Sequence, residues 1–163
     1  MLPELHFTDS ITIPTYFVFL SLLVTALILA LPKYANQNKM DLPTALNISL
    51  ILMIVGFVGA RLFHVFYEEW PLYSTQPERI FYVWLGGFVF LGGAIPAVLA
   101  ASLYLKLQKL EFAPWADFFA PLGALGYGFG RLSCFLSGCC YGKICELPWS
   151  VNGRHPTQIY ALL

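Results

Sequence analysis

The chain has 163 residues, of which 58% are hydrophobic and 11% charged, and its formal net charge is zero. Soluble domains carry roughly 25% charged residues, so this composition excludes an ordinary water-soluble domain and points to a lipid-embedded one. Zero net charge also excludes a broad basic field, and no nucleic-acid partner is expected.

Residues 1–13 are too mixed to span a bilayer and read as an extracytoplasmic arm or an interfacial segment. No positive charge precedes the first apolar run and no small-residue cleavage pattern follows it, so no cleaved leader is expected. The first apolar stretch runs from Pro14 to Leu31, long enough to cross, and is expected to stop at Pro32-Lys33. A second, Thr44 to Tyr67, carries Arg61 and His64 three residues apart, on one helical face. The link from Glu68 to Arg79 is polar and broken by prolines.

The third stretch, Ile80 to Leu105, holds Gly86-Gly87, Gly92-Gly93 and Pro96, which signal close packing, a kink or an interrupted helix. The fourth, Pro114 to Leu136, contains Asp117 and Arg131. A turn-rich tail follows, and Thr157 to Leu163 reads as the first turns of a further helix. The expected fold class is therefore all-α: a polytopic membrane protein with four transmembrane helices plus the start of a fifth, in one transmembrane domain over residues 1–163. Lys33, Lys39, Lys106 and Lys109 fall in alternate links, against Arg79, Lys143 and Arg154 in the others. The positive-inside rule then places the N-terminus outside the cytoplasm.

Arg131 is the charge around which the chain is organised. An arginine in an apolar segment faces protein interior or a polar ligand. Its structural reading is a pairing with a carboxylate or with exposed carbonyls; its functional reading is a phosphate clamp, because a guanidinium matches phosphate oxygens bidentately. Gly123, Gly126, Gly128 and Gly130 lead up to it and let a backbone or a lipid head group come close. Arg61 has the same pair of readings, with snorkelling to the interface as its structural one. His64 is a candidate general base or a satisfied interface histidine. Cys134, Cys139, Cys140 and Cys145 match no CxxC pair, so no metal site is expected, and disulfides or plain buried thiols remain open. Thr157 after Pro156 reads as a helix start.

Several motifs occur in order: Gly59-Ala-Arg61, Trp84-Leu-Gly-Gly-Phe-Val-Phe-Leu-Gly-Gly93, Asp117 through Pro121, Gly130-Arg-Leu, Gly142, Leu147-Pro-Trp149 and His155-Pro-Thr-Gln-Ile-Tyr160. Together they resemble the prolipoprotein diacylglyceryl transferases of the bacterial inner membrane. The resemblance implies transfer of diacylglycerol from phosphatidylglycerol to a lipobox cysteine in prolipoprotein signal peptides. It implies Arg131 and His64 as catalytic residues and Arg131, Arg61, Gly130, Gly92, Gly93 and His155 as substrate-binding ones, with membrane lipids around them and no cofactor or metal. Leu91 stands where the family pattern has histidine, Cys134 and Cys139 where it has asparagine and glutamate, and Ala161 where it has glutamate. The competing readings are an inactive relative that binds phospholipid or a membrane partner, and a membrane thiol-redox protein.

Overall fold

A computed structural model describes residues 4–8, 11–83 and 86–162. Trp84 and Leu85 of the third-stretch motif, and Leu163, lie outside the described residues. By its contacts the chain forms two compact units, Lys33–Trp115 and the pair of segments Met1–Pro32 and Ala116–Leu163.

The first unit is built on two antiparallel helices. Helix α2, Leu42–Phe63, starts at Asp41, whose carboxylate accepts from the Thr44 amide at 2.9 Å and the Thr44 hydroxyl at 2.6 Å. These bonds hold the Asp41 carboxyl below the usual carboxylate range. Helix α4, Phe90–Leu107, buries Gly93, Ala97, Ala101 and Leu105, one residue every fourth position. A stripe of small side chains lets two backbones approach closely, which is how helices associate in lipid. A Cβ at Gly93 would stand 2.5 Å from the Gly56 carbonyl, and one at Gly59 would stand 2.7 Å from the Gly92 carbonyl. At the other end Asn47 donates to the Tyr104 hydroxyl at 2.9 Å.

Between them the chain makes a π-helical turn, His64–Glu68, then α3, Trp70–Thr75, and a 3₁₀ turn, Pro77–Phe81. The third apolar stretch was expected to be helical from Ile80, yet α4 begins ten residues later at Phe90. Gly86 and Gly87 both have φ +83°, which no right-handed helix accommodates.

In the second unit two short strands, β1 (Glu4–Thr8) and β2 (Ile11–Pro14), pair antiparallel in the region read as an arm. They add a small hairpin to the expected all-helical class. Helix α1, Thr15–Gln37, continues through Pro32 instead of stopping there. A proline removes one backbone rung and does not by itself end a helix in lipid. Helix α5, Phe112–Ser137, carries Arg131 and the first cysteine, and α6 is the single turn Thr157–Tyr160.

Three helices among the described residues are long and apolar enough to span a membrane: Val18–Gln37, Leu42–Glu68 and Phe90–Leu107. At 1.5 Å per residue the shortest covers about 27 Å, close to the hydrocarbon thickness. The chain is a multi-pass membrane protein. α5, with its two charges, falls outside that set.

Candidate functional site

Arg61 sits in the last turn of α2 and is buried. Its guanidinium donates from Nε to the Ile80 carbonyl at 3.2 Å, from Nη1 to the carbonyls of Gly86 and Gly87, and from Nη2 to those of Arg79 and Tyr82. The rings of Tyr73 and Phe88 lie 5.4 and 5.8 Å from its central carbon. Arg61 therefore ties the loop that precedes α4 onto the end of α2. Its planar fork is spent on carbonyls, leaving the positive charge to act through space.

His64 opens the π-helical turn, and its Nδ1 stands 2.7 Å from the Glu68 carboxylate. When the Glu68 carboxylate accepts this bond, the donor is Nδ1–H, and a neutral ring then presents Nε2 as its acceptor. Gly87 makes room for that ring, since a Cβ there would stand 2.4 Å from His64 Nε2. Arg61, His64, Glu69, Tyr73 and Arg79 line a polar cavity of about 390 Å³. In sequence Glu68 is the first residue of a polar link. Its i,i+4 spacing from His64 was the signal that the two would meet.

Gly92 and Gly93 lie in the α2–α4 contact, Gly92 against Phe63 and Gly93 against Gly56 and Ala60. Leu91 is exposed.

The second unit presents Arg131 differently. Its guanidinium lies 5.0 Å from the Tyr127 ring, one turn back on α5. Among the described residues no carboxylate or carbonyl takes its donors. Cβ atoms built at Gly123, Gly126, Gly128 and Gly130 would meet nothing within 4 Å. An apolar groove of about 570 Å³ runs along α5, lined by Pro121, Leu125, Phe129 and Leu132 together with Leu162.

Beyond α5 the scattered tail motifs come together. The Tyr160 hydroxyl accepts from Trp149 Nε1 at 3.0 Å and lies 3.1 Å from His155 Nδ1. The Gly142 amide donates to the His155 carbonyl at 2.9 Å, and a Cβ on Gly142 would press on Thr157 at 2.8 Å. Thr157 opens α6, as its place after Pro156 predicts, and its hydroxyl donates to the Cys140 carbonyl at 2.8 Å. The buried Gln158 amide donates to the Cys139 carbonyl.

These bonds hold the loop that returns over the end of α5. All four cysteines are free thiols. The sulfurs of Cys134, Cys139 and Cys140 lie within 4.8 Å of one another, and Cys140 donates to Cys139 at 3.0 Å. Partial desolvation first, then the bond with Cys140 and the neighbouring thiols, push the Cys139 thiol up to about 12, although the residue as a whole is exposed. The four cysteines form no CxxC pair in sequence; the helix stop is what folds residue 139 back onto residue 134.

A family described as prolipoprotein diacylglyceryl transferase matches residues 4–163. The chain is 39% identical over 111 residues to a phosphatidylglycerol–prolipoprotein diacylglyceryl transferase from Mannheimia succiniciproducens, an alignment covering 64% of this chain and 41% of the relative. The protein of that name from Pasteurella multocida is 37% identical over 78% of this chain and 51% of its own length. The one from Methylobacillus flagellatus is 33% identical over 79% of this chain and 51% of its own. The alignments thus span about half the length of these curated relatives or somewhat less.

Proposed function

The chain belongs to the prolipoprotein diacylglyceryl transferase family, and from that premise we propose that it serves transfer of the diacylglyceryl group from phosphatidylglycerol to a lipobox cysteine of prolipoproteins. The setting is the bacterial inner membrane, with the N-terminus extracytoplasmic and residues 1–163 acting as one transmembrane domain. The observation that carries the reading is the Arg131 guanidinium, which lies on the Tyr127 ring and among the described residues gives its donors to no carboxylate or carbonyl.

In the reaction the cysteine sulfur bonds to the terminal glyceryl carbon, the bond from that carbon to phosphate oxygen breaks, and glycerol phosphate leaves with the electron pair. Arg131 holds the phosphate and stabilises the charge that grows on the leaving oxygen, an effect confined to the transition state. Gly130 admits the head group beside it, and the α5 groove takes an acyl chain. His64, oriented by Glu68, takes the thiol proton on Nε2. Arg61, Gly92 and Gly93 serve the lipid by fixing the α2–α4 framework, and His155 offers a polar contact on the tail. The transfer itself calls for no cofactor.

The test is transfer of labelled diacylglycerol to a lipobox peptide by purified protein in detergent containing phosphatidylglycerol. Arg131→Ala should lower transfer by about 10²–10³-fold, the loss typical of removing one donor to a developing anion. Arg131→Lys should keep lipid binding nearly intact while transfer falls much further, because it keeps the charge and loses the fork. An Arg131→Ala protein as active as wild type would end the clamp assignment. Wild-type protein that binds phosphatidylglycerol without transferring it would instead mark an inactive relative.

A further inference from the structure

The thiol cluster after α5 has no part in the phosphate chemistry assigned to Arg131. Helix termination builds it. The Cys139 amide bonds back to the Cys134 carbonyl at 3.1 Å and the Gly138 amide to the Phe135 carbonyl at 3.1 Å, with Gly138 at φ +75°. That closure brings the side chain two residues beyond the helix end onto the last inward-facing turn. The same pair of bonds ends α1, where Ala35 meets Met40, and α4, where Leu105 meets Leu110. At those two stops the pair is apolar; after α5 both members are thiols.

A third thiol joins them because Cys140 adopts φ +66°, a left-handed conformation that a cysteine holds only when its surroundings impose it. Thr157 and the buried Gln158 impose it through the carbonyls of Cys140 and Cys139. We propose that Cys134, Cys139 and Cys140 form a binding site for a thiophilic d¹⁰ cation, Cu(I) or Zn(II), held by three thiolates. Thiolates bound about 2.3 Å from such an ion stand roughly 3.8 Å apart. The separations in the cluster, 3.0 Å at the hydrogen-bonded pair and 4.8 Å at most, bracket that value. No nitrogen or carboxylate ligand belongs to the group, which selects a soft ion over Mg²⁺, Ca²⁺ or Mn²⁺. Cys139 and Cys140 are exposed, so the ion has an entry path, and the bonds from Thr157 and Gln158 supply the orienting outer shell. Binding replaces three thiol protons by the cation and releases them to solvent, with no change of oxidation state.

The experiment takes the whole chain, reduced and kept anaerobic in detergent. It is titrated with Cu(I) against a chromogenic Cu(I) chelator and, separately, with Zn(II) against a chromogenic Zn(II) chelator. Uptake of one equivalent is expected in at least one arm. Uptake of Cu(I) alone identifies a trigonal thiolate site, and uptake of Zn(II) identifies one completed by water. Cys134→Ser, Cys139→Ser and Cys140→Ser should each weaken binding at least ~10-fold, since even outer-shell losses reach that size. Cys145→Ser should leave it unchanged. Because a variant can fail through misfolding, wild-type protein is also alkylated with and without the ion and read by mass spectrometry. The ion should shield the three clustered thiols and leave Cys145 reactive. No uptake in either arm, binding indifferent to Cys139→Ser, or four thiols alkylated alike with the ion present would each overturn the site.

Discussion

Arg61 donates to five backbone carbonyls, whereas Arg131 lies against the Tyr127 ring and, among the described residues, gives its donors to no carboxylate or carbonyl, so two arginines in apolar helices are used in opposite ways. In sequence the two share one pair of readings, because no spacing rule joins an arginine to carbonyls 18 to 26 positions downstream. The consequence is a split between stability and activity. Arg61→Ala strips the buried loop of its donors and should cost about 3 kcal/mol, the order expected when several acceptors lose their partner. Arg131→Ala loses one ring contact and should change stability by less than about 1 kcal/mol while transfer collapses. Thermal unfolding of both variants in detergent checks this. Equal destabilisation would mean that Arg131 also holds structure together, and its assignment as a clamp would then lose its ground.

At the scale of elements, apolar length located the helices well, and the helix ends carried what it missed. The second stretch became α2 and the fourth became α5 nearly as read, since lipid-length apolar runs have few alternatives. The third lost its first ten residues to Gly86 and Gly87, whose left-handed backbones place carbonyls under Arg61. Glycine pairs were legible as a warning, but which pair would interrupt and which would pack depended on contacts with α2. The thiol cluster was hidden for a similar reason: the residue at the helix stop decides which side chains fold back. Two of the three stops use lysine, Lys39 and Lys109, each at φ +56°. A side chain with Cβ pays roughly 1–2 kcal/mol in that region and glycine does not. Lys109→Gly should therefore raise the stability of the protein by about 1 kcal/mol, measured as a higher unfolding midpoint. A lower midpoint would show that the lysine side chain itself contributes to the stop.

For the whole molecule, the open quantity is the number of crossings, and the lysines that strain those two stops bear on it. Val18–Gln37, Leu42–Glu68 and Phe90–Leu107 are sufficient for three crossings. With the N-terminus outside, Lys39 and Lys109 then stand in the cytoplasm, where positive charge belongs. That gives a reason for lysine at positions where glycine would be less strained. Helix α5 has 26 residues, about 39 Å, which is ample to cross, but it carries Asp117 and Arg131. Charges in a span are tolerated where they face protein or a polar ligand, so a phosphate at Arg131 and a crossing by α5 support each other. Reporter fusions after Lys39 and Lys109 should read cytoplasmic, and one after Lys143 should read external. If the Lys143 fusion also reads cytoplasmic, α5 does not cross. The end of α5 with Arg131 then lies on the cytoplasmic side, and the clamp no longer meets lipid where a translocated lipobox is presented. If instead all three signs invert together, α5 crosses but the N-terminus is cytoplasmic. The Arg131 end of α5 again lies on the wrong face for the lipobox, which ends the clamp reading as well. In that case Lys39 and Lys109 lose their proposed reason to be lysine, and the gain expected from Lys109→Gly would come without any cost in orientation.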